Sequence, residues 1–368
     1  MTWNCLSKLI SRSKHYYCQV AGITLRARKL RLKEDFHEDE EEILSAQTAM
    51  ANPFAVIAVA ILVIFVVGQF TPFVNALIIR QASTLQSNSP APNFGTIQQN
   101  VAVAQDIVYD ETENSVMDIY YPKNSQGPLP VVVWLHGGGY ILGDKEMTKE
   151  YAMTLASHGY VVANVNYALA PEHKYPTPVV QANQALKYLN SNAAKYGGDM
   201  DRLFLGGNSA GAQIVSQIAA ITSNGRLAKS MGIKSPIENE QLRGVLLFCS
   251  NYNVKTVRAT GTPFLETIMW SYTCMRDFEN YPRIDELSTV KQITSEYPPV
   301  FVSVGDADPL EPQSIELIEA LENNGVEVDP ILFNGTNANL GHDYQYNLAS
   351  LPAQQTLGKV INFLDMHN

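Results

Sequence analysis

The chain has 368 residues, 46% of them apolar and 17% charged, a composition that excludes a wholly disordered protein. Its formal net charge of -10 argues against nucleic acid as a partner. Four cysteines, none in a C-x-x-C pair, are too few for a disulfide framework, although Cys249 and Cys274 could pair in an oxidising compartment.

Residues 1–52 open the chain with eight basic residues, Lys8 to Lys33, and no acid, followed by seven acids in "EDFHEDEEE" at 34–42. Such blocks read as a solvated tail. No charge occurs between Glu42 and Arg80, and "PFAVIAVAILVIFVVG" is apolar without a break. A run over 53–79 suffices for a transmembrane helix, which needs about 20 residues, and too many residues precede it for a cleaved signal peptide. The excess of Lys and Arg on its N-terminal side places the N-terminus in the cytoplasm and the remainder outside, as a single-pass cell-membrane protein. Residues 80–105, rich in Ser, Gln, Asn and Pro, read as a linker to a domain at 106–368.

Within that domain "DIVYD" and "SVMDIYYP" read as a hairpin. "LPVVVWLHGGG", "YVVANVNY", "DRLFLGG", "RGVLLFCS", "PPVFVSVGD" and "VEVDPILF" are short apolar runs suited to strands buried on both faces. Between them, helices are expected over "EMTKEYAMTLASHG", "PTPVVQANQALKYLNSNAAKYGG", "AGAQIVSQIAAITSNG", "EPQSIELIEALENNG" and "PAQQTLGKVINFLDMH". This alternation predicts an α/β fold with a mostly parallel sheet covered by helices on both faces. The insertion at 251–290 is the expected lid. Its Phe264, Met269, Trp270 and Tyr272 suit either an acyl pocket or ordinary packing.

The string Gly207-Asn208-Ser209-Ala210-Gly211 fits G-x-S-x-G where a predicted strand meets a predicted helix. That is the context of a nucleophile held on a tight turn, with glycines where side chains would clash. A serine hydroxyl needs a histidine base, and the base needs an acid to orient it. His15 and His37 precede the apolar span, and His367 is the penultimate residue. His136 opens a glycine run, and His158 and His173 come before the serine, which leaves His342 after the last strand. For the acid, "SVGDADPLEP" offers Asp306 and Asp308 at a strand's carboxyl end, and residue chemistry alone does not choose between them. Asp343, adjacent to the base, is badly placed to hold its ring. The run His136-Gly137-Gly138-Gly139 can bring backbone N–H groups to an oxyanion.

Residues 106–368 resemble the α/β-hydrolase esterases of the hormone-sensitive-lipase-like and feruloyl-esterase-like (BD-FAE-type) groups, through "HGGGY", "NYALAPEHKYP", "GGNSAGA", "DADPL" and "GHDY". The resemblance implies the α/β-hydrolase fold, Ser209 as nucleophile, His342 as base and Asp308 as acid, with the amides of Gly138, Gly139 and Ala210 as the oxyanion hole. It implies a small-molecule ester substrate and neither metal nor organic cofactor. Three departures stand out. Asn208 occupies the place of a usual acid, Ala212 that of a usual glycine, and Asp343-Tyr344 that of the Gly-Phe commonly found after the histidine. The N-terminal helices that often cap the acyl pocket in the lipase-like group are expected here to be replaced by linker and anchor. A serine peptidase or acyltransferase on the same fold, and a non-catalytic binding protein, are the rival readings.

Overall fold

The computed structural model describes residues 53–82, 89–333 and 335–368. The charged tail at 1–52, with Cys5 and Cys18, lies outside them. Two compact units divide the chain, Met1–Val66 and Val67–Asn368. The apolar run does not form one helix to residue 79. Helix α1 (Pro53–Phe70) is long and apolar enough to cross a membrane. It ends at Phe70, because Pro72 has no N–H to continue the ladder and starts a second helix, α2 (Pro72–Ala82).

Helix α2 belongs to the second unit, where Ala76 and Ile79 join the main hydrophobic core. Eleven residues are too few for a helix stable in isolation, so its order comes from that packing. Arg80 supports it. Its guanidinium donates to Ile141 O (2.5 Å), Ala170 O (2.8 Å) and both oxygens of Glu172 (2.9 and 2.7 Å). The expected linker also ends early. Helix α3 (Phe94–Asn100) buries Ile97, and strand β1 (Val101–Val108) starts before the expected domain boundary at 106. The polar residues around Phe94, Ile97 and Val101 conceal an apolar stripe that packs onto the sheet.

The sheet continues with β2 (Val116–Pro122), β3 (Leu129–Leu135), β4 (Val161–Val165), β5 (Gly198–Asn208), β6 (Leu242–Phe248), β7 (Val300–Val304) and β8 (Val328–Leu332). Its order is β1-β2-β4-β3-β5-β6-β7-β8. The first two strands are antiparallel to their neighbours, and the rest are parallel. Alternation along each strand fills two cores. Val131, Val133 and Leu135 face one, while Val132 and Trp134 face the other. Helices cover both faces. They are α4 (Lys149–Ser157), α5 (Thr177–Asn192), α6 (Ala210–Ser223), α7 (Gly225–Met231), α8 (Leu265–Thr273), α9 (Ile284–Leu287), α10 (Glu311–Asn323) and α11 (Leu351–Met366). The short α8 and α9 lie in the insertion between β6 and β7, and α2 packs against α8. An N-terminal helix therefore does reach the lid, contrary to expectation.

Candidate active site

Parallel strands deliver their carboxyl ends to one edge of the sheet, and the candidate residues collect there. Asn208 ends β5 and Ala210 starts α6, leaving Ser209 alone on the turn with φ 49° and ψ -125°. That conformation costs a non-glycine residue about 1–3 kcal/mol, so the surroundings must enforce it. Ser209 N–H donates to Phe248 O (2.8 Å), and Ser209 O accepts from Gln213 N–H (3.1 Å) and Ser250 Oγ (2.5 Å). The flanking glycines are required sterically. A Cβ on Gly207 would lie 2.7 Å from Gly211 C, and one on Gly211 would lie 2.1 Å from Leu135 O.

The glycine run after β3 approaches the same turn. A Cβ on Gly137 would stand 3.1 Å from Ser209 Cβ. Gly138 and Gly139 have φ +107° and +57°, which glycine adopts at no steric cost. On the lid side, a Cβ on Gly139 would meet Ile268 Cδ1 of α8 at 2.9 Å. His136 is a pillar beneath this loop. Its ring stacks on Tyr167 (4.4 Å between centroids), and Tyr167 O–H donates to His136 O (2.8 Å). Burial holds its pKa down to about 4, so the ring is neutral.

The loop after β7 separates the two candidate acids. Asp308 is buried; its Oδ2 lies 2.9 Å from His342 Nδ1, and its Oδ1 accepts from Leu310 N–H (2.8 Å). Asp306 points elsewhere, accepting from the N–H groups of Leu340 (2.7 Å) and Asn339 (3.2 Å). It braces the loop that carries His342, whereas Asp308 holds the ring. Burial pushes the His342 pKa down, but the Asp343 and Asp308 carboxylates outweigh it and raise the value to about 9.

Asp343 has a place that sequence reasoning missed. It does not hold Nδ1, but its Oδ2 lies 3.8 Å from His342 Nε2, on the other side of the ring. The same Oδ2 accepts from Asn208 Nδ2 (2.9 Å), and Oδ1 accepts from Cys249 Sγ (3.1 Å). A residue next to the serine thus grips a residue next to the histidine. Burial raises the Cys249 thiol well above its usual range, and Cys249 and His342 flank Asp343, the thiol donating to Oδ1 and the ring lying 3.8 Å from Oδ2. Cys249 and Cys274 are free thiols, the second accepting from Lys174 Nζ (2.9 Å). In the lid, Met269 and Tyr272 are buried in packing, and Tyr272 stacks on Tyr140 at 3.8 Å; Trp270 is half-buried under Arg276, and Phe264 is exposed. Ile268 instead meets the glycine run.

The model of the BD-FAE family matches residues 117–321, more than half of the chain. The chain belongs to the BD-FAE family. The sheet order and likeness to solved structures agree on the α/β-hydrolase fold. Esterase B from Lactobacillus rhamnosis superposes with a TM-score of 0.67 at 21% identity, over 89% of this chain and 96% of that one. A bacterial heroin esterase gives 0.61 at 20%, over 78% and 95%. Among curated proteins, a probable isoprenylcysteine alpha-carbonyl methylesterase of Arabidopsis thaliana is 28% identical over 63% of this chain and 50% of its own length. A carboxylesterase of Mycobacterium tuberculosis is 37% identical over 31% and 36%. This BD-FAE chain therefore spans about half of the first of those relatives.

Proposed function

We propose that the chain is a serine carboxylic-ester hydrolase that works through an acyl-enzyme. The observation that carries the reading is the 2.9 Å bond between His342 Nδ1 and Asp308, on a loop tied to the turn that bears Ser209. With Asp308 accepting the Nδ1 proton, Nε2 is left free to take a proton from Ser209 Oγ. The serine then attacks the ester carbonyl. Negative charge develops on the carbonyl oxygen beside the N–H groups of Gly138, Gly139 and Ala210, the last at the positive end of α6. His342 returns the proton to the departing alcohol, and water, activated by the same ring, releases the acid. The names of the relatives agree with an ester substrate, since they include a methylesterase, a carboxylesterase and an acetate esterase.

Helix α1 serves in this reading as a single membrane anchor. The basic residues before it favour a cytoplasmic N-terminus and an extracytoplasmic hydrolase domain. The full chain in detergent micelles should hydrolyse short and longer p-nitrophenyl esters. Ser209→Ala should lose roughly 10⁴-fold or more in kcat. Comparable turnover by that variant would end the mechanism. Added protease should cut the domain on intact cells, and protection there would reverse the topology.

A further inference from the structure

Resting on the hydrolase reading, we propose that Asp343 is a positioning residue: clasped by Asn208 and Cys249, its carboxylate stabilises the imidazolium of His342 and ties the base loop to the nucleophile turn. Three observations carry this. The carboxylate is nearly buried and both of its oxygens are engaged, so it cannot swing away from the ring. It faces Nε2, the nitrogen that receives the serine proton, at 3.8 Å, too long for a hydrogen bond yet short for two opposite charges. Asp343 also adopts φ 61°, a left-handed conformation that aspartate tolerates better than most residues.

The clasp explains why residue 208 is an asparagine. Its Oδ1 accepts from Tyr346 O–H (2.9 Å), and that oxygen accepts in turn from Trp134 Nε1 (3.0 Å). Its Nδ2 donates to Asp343. An amide accepts on one side and donates on the other, which a carboxylate cannot do. An acid here, as the lipase-like esterases usually have, would set two carboxylates 2.9 Å apart. In this chain the acid at this junction is Asp343, the residue after the candidate base.

The charged or titratable groups around the His342 ring are Asp308 from the loop after β7, Asp343 on its own loop and the Cys249 thiol after β6. Glu311 lies one step away, its carboxyl raised by burial and then by the charges of Asp306 and Asp308. Withdrawing the Asp343 charge should therefore be visible in the ring's own titration. In Asp343→Asn the acid limb of kcat/KM should move roughly 1–3 pH units to lower pH. N208D/D343N keeps a hydrogen bond between the two positions with donor and acceptor exchanged. Its limb should stay low while its maximum kcat/KM recovers above that of Asn208→Asp alone. A limb unmoved in Asp343→Asn would overturn the electrostatic role, and a double variant no better than Asn208→Asp would overturn the tether. NMR titration of the His342 ring in Ser209→Ala, with and without Asp343→Asn, reads the same shift without turnover. An active Ser209→Ala would defeat the hydrolase reading itself and leave that titration to judge the pair.

Discussion

Asp308→Asn removes one charge and almost no volume. The Asp308 side chain is fully buried, and its two oxygens receive the Leu310 N–H and face His342 Nδ1. An amide nitrogen turned towards His342 would donate to Nδ1, forcing the ring proton onto Nε2. Nε2 would then have no lone pair for the serine proton, although the geometry survives. A wrong tautomer of this kind costs a serine triad about 10⁴ in kcat, or about 5 kcal/mol of barrier. Asp306→Asn keeps an oxygen for one of the Leu340 and Asn339 amides and leaves the ring pair intact, so its loss should be a small fraction of that. Initial rates of p-nitrophenyl ester hydrolysis, measured across pH on both variants beside the parent, compare them directly. If Asp308→Asn kept more than about a tenth of the activity, or if Asp306→Asn were the more damaged, the assignment of the acid would be wrong.

The His342 pKa of about 9 makes neutral base scarce at pH 7, so kcat/KM should fall about tenfold per pH unit below that value, as a pH-rate profile would register. Because the folded value lies above that of a free histidine, the group's contribution to stability is complete below about pH 6.5 and is lost as pH rises through 9, a trend that urea midpoints can follow. Gly211→Ala drives a methyl into the Leu135 and His136 carbonyls and should cost about 1–3 kcal/mol or more; Gly358→Ala, with open space around it, should be neutral or stabilising, and calorimetric Tm values compare the two. Arg80→Ala removes the bonds to Ile141, Ala170 and Glu172 and should raise amide exchange in α2 selectively; unchanged exchange there would mean that Ala76 and Ile79 alone hold the helix.

By itself, the sequence determined what local patterning controls. Buried strands such as "LPVVVWL" and "PPVFVSV" announce themselves by uninterrupted apolar residues, and the glycines of "GGNSAGA" mark a turn with no room for side chains. Ser209 and His342 were legible as candidates, one at a strand–helix junction and the other by elimination after the last strand. Tertiary structure decided whatever depends on partners distant in the chain. Asp306 and Asp308 are equivalent as local chemistry, and only the path of the loop at 339–342 assigns one to the loop amides and the other to the ring. The break at Pro72 is written in the residue, but the docking of α2 on the lid rests on contacts with residues far along the chain. Asn208 reads as an unexplained departure until Asp343, 135 residues later, is brought within 2.9 Å of it. A hydrogen bond of that span leaves no periodicity in the sequence, because it depends on where the loop after the last strand meets the end of β5.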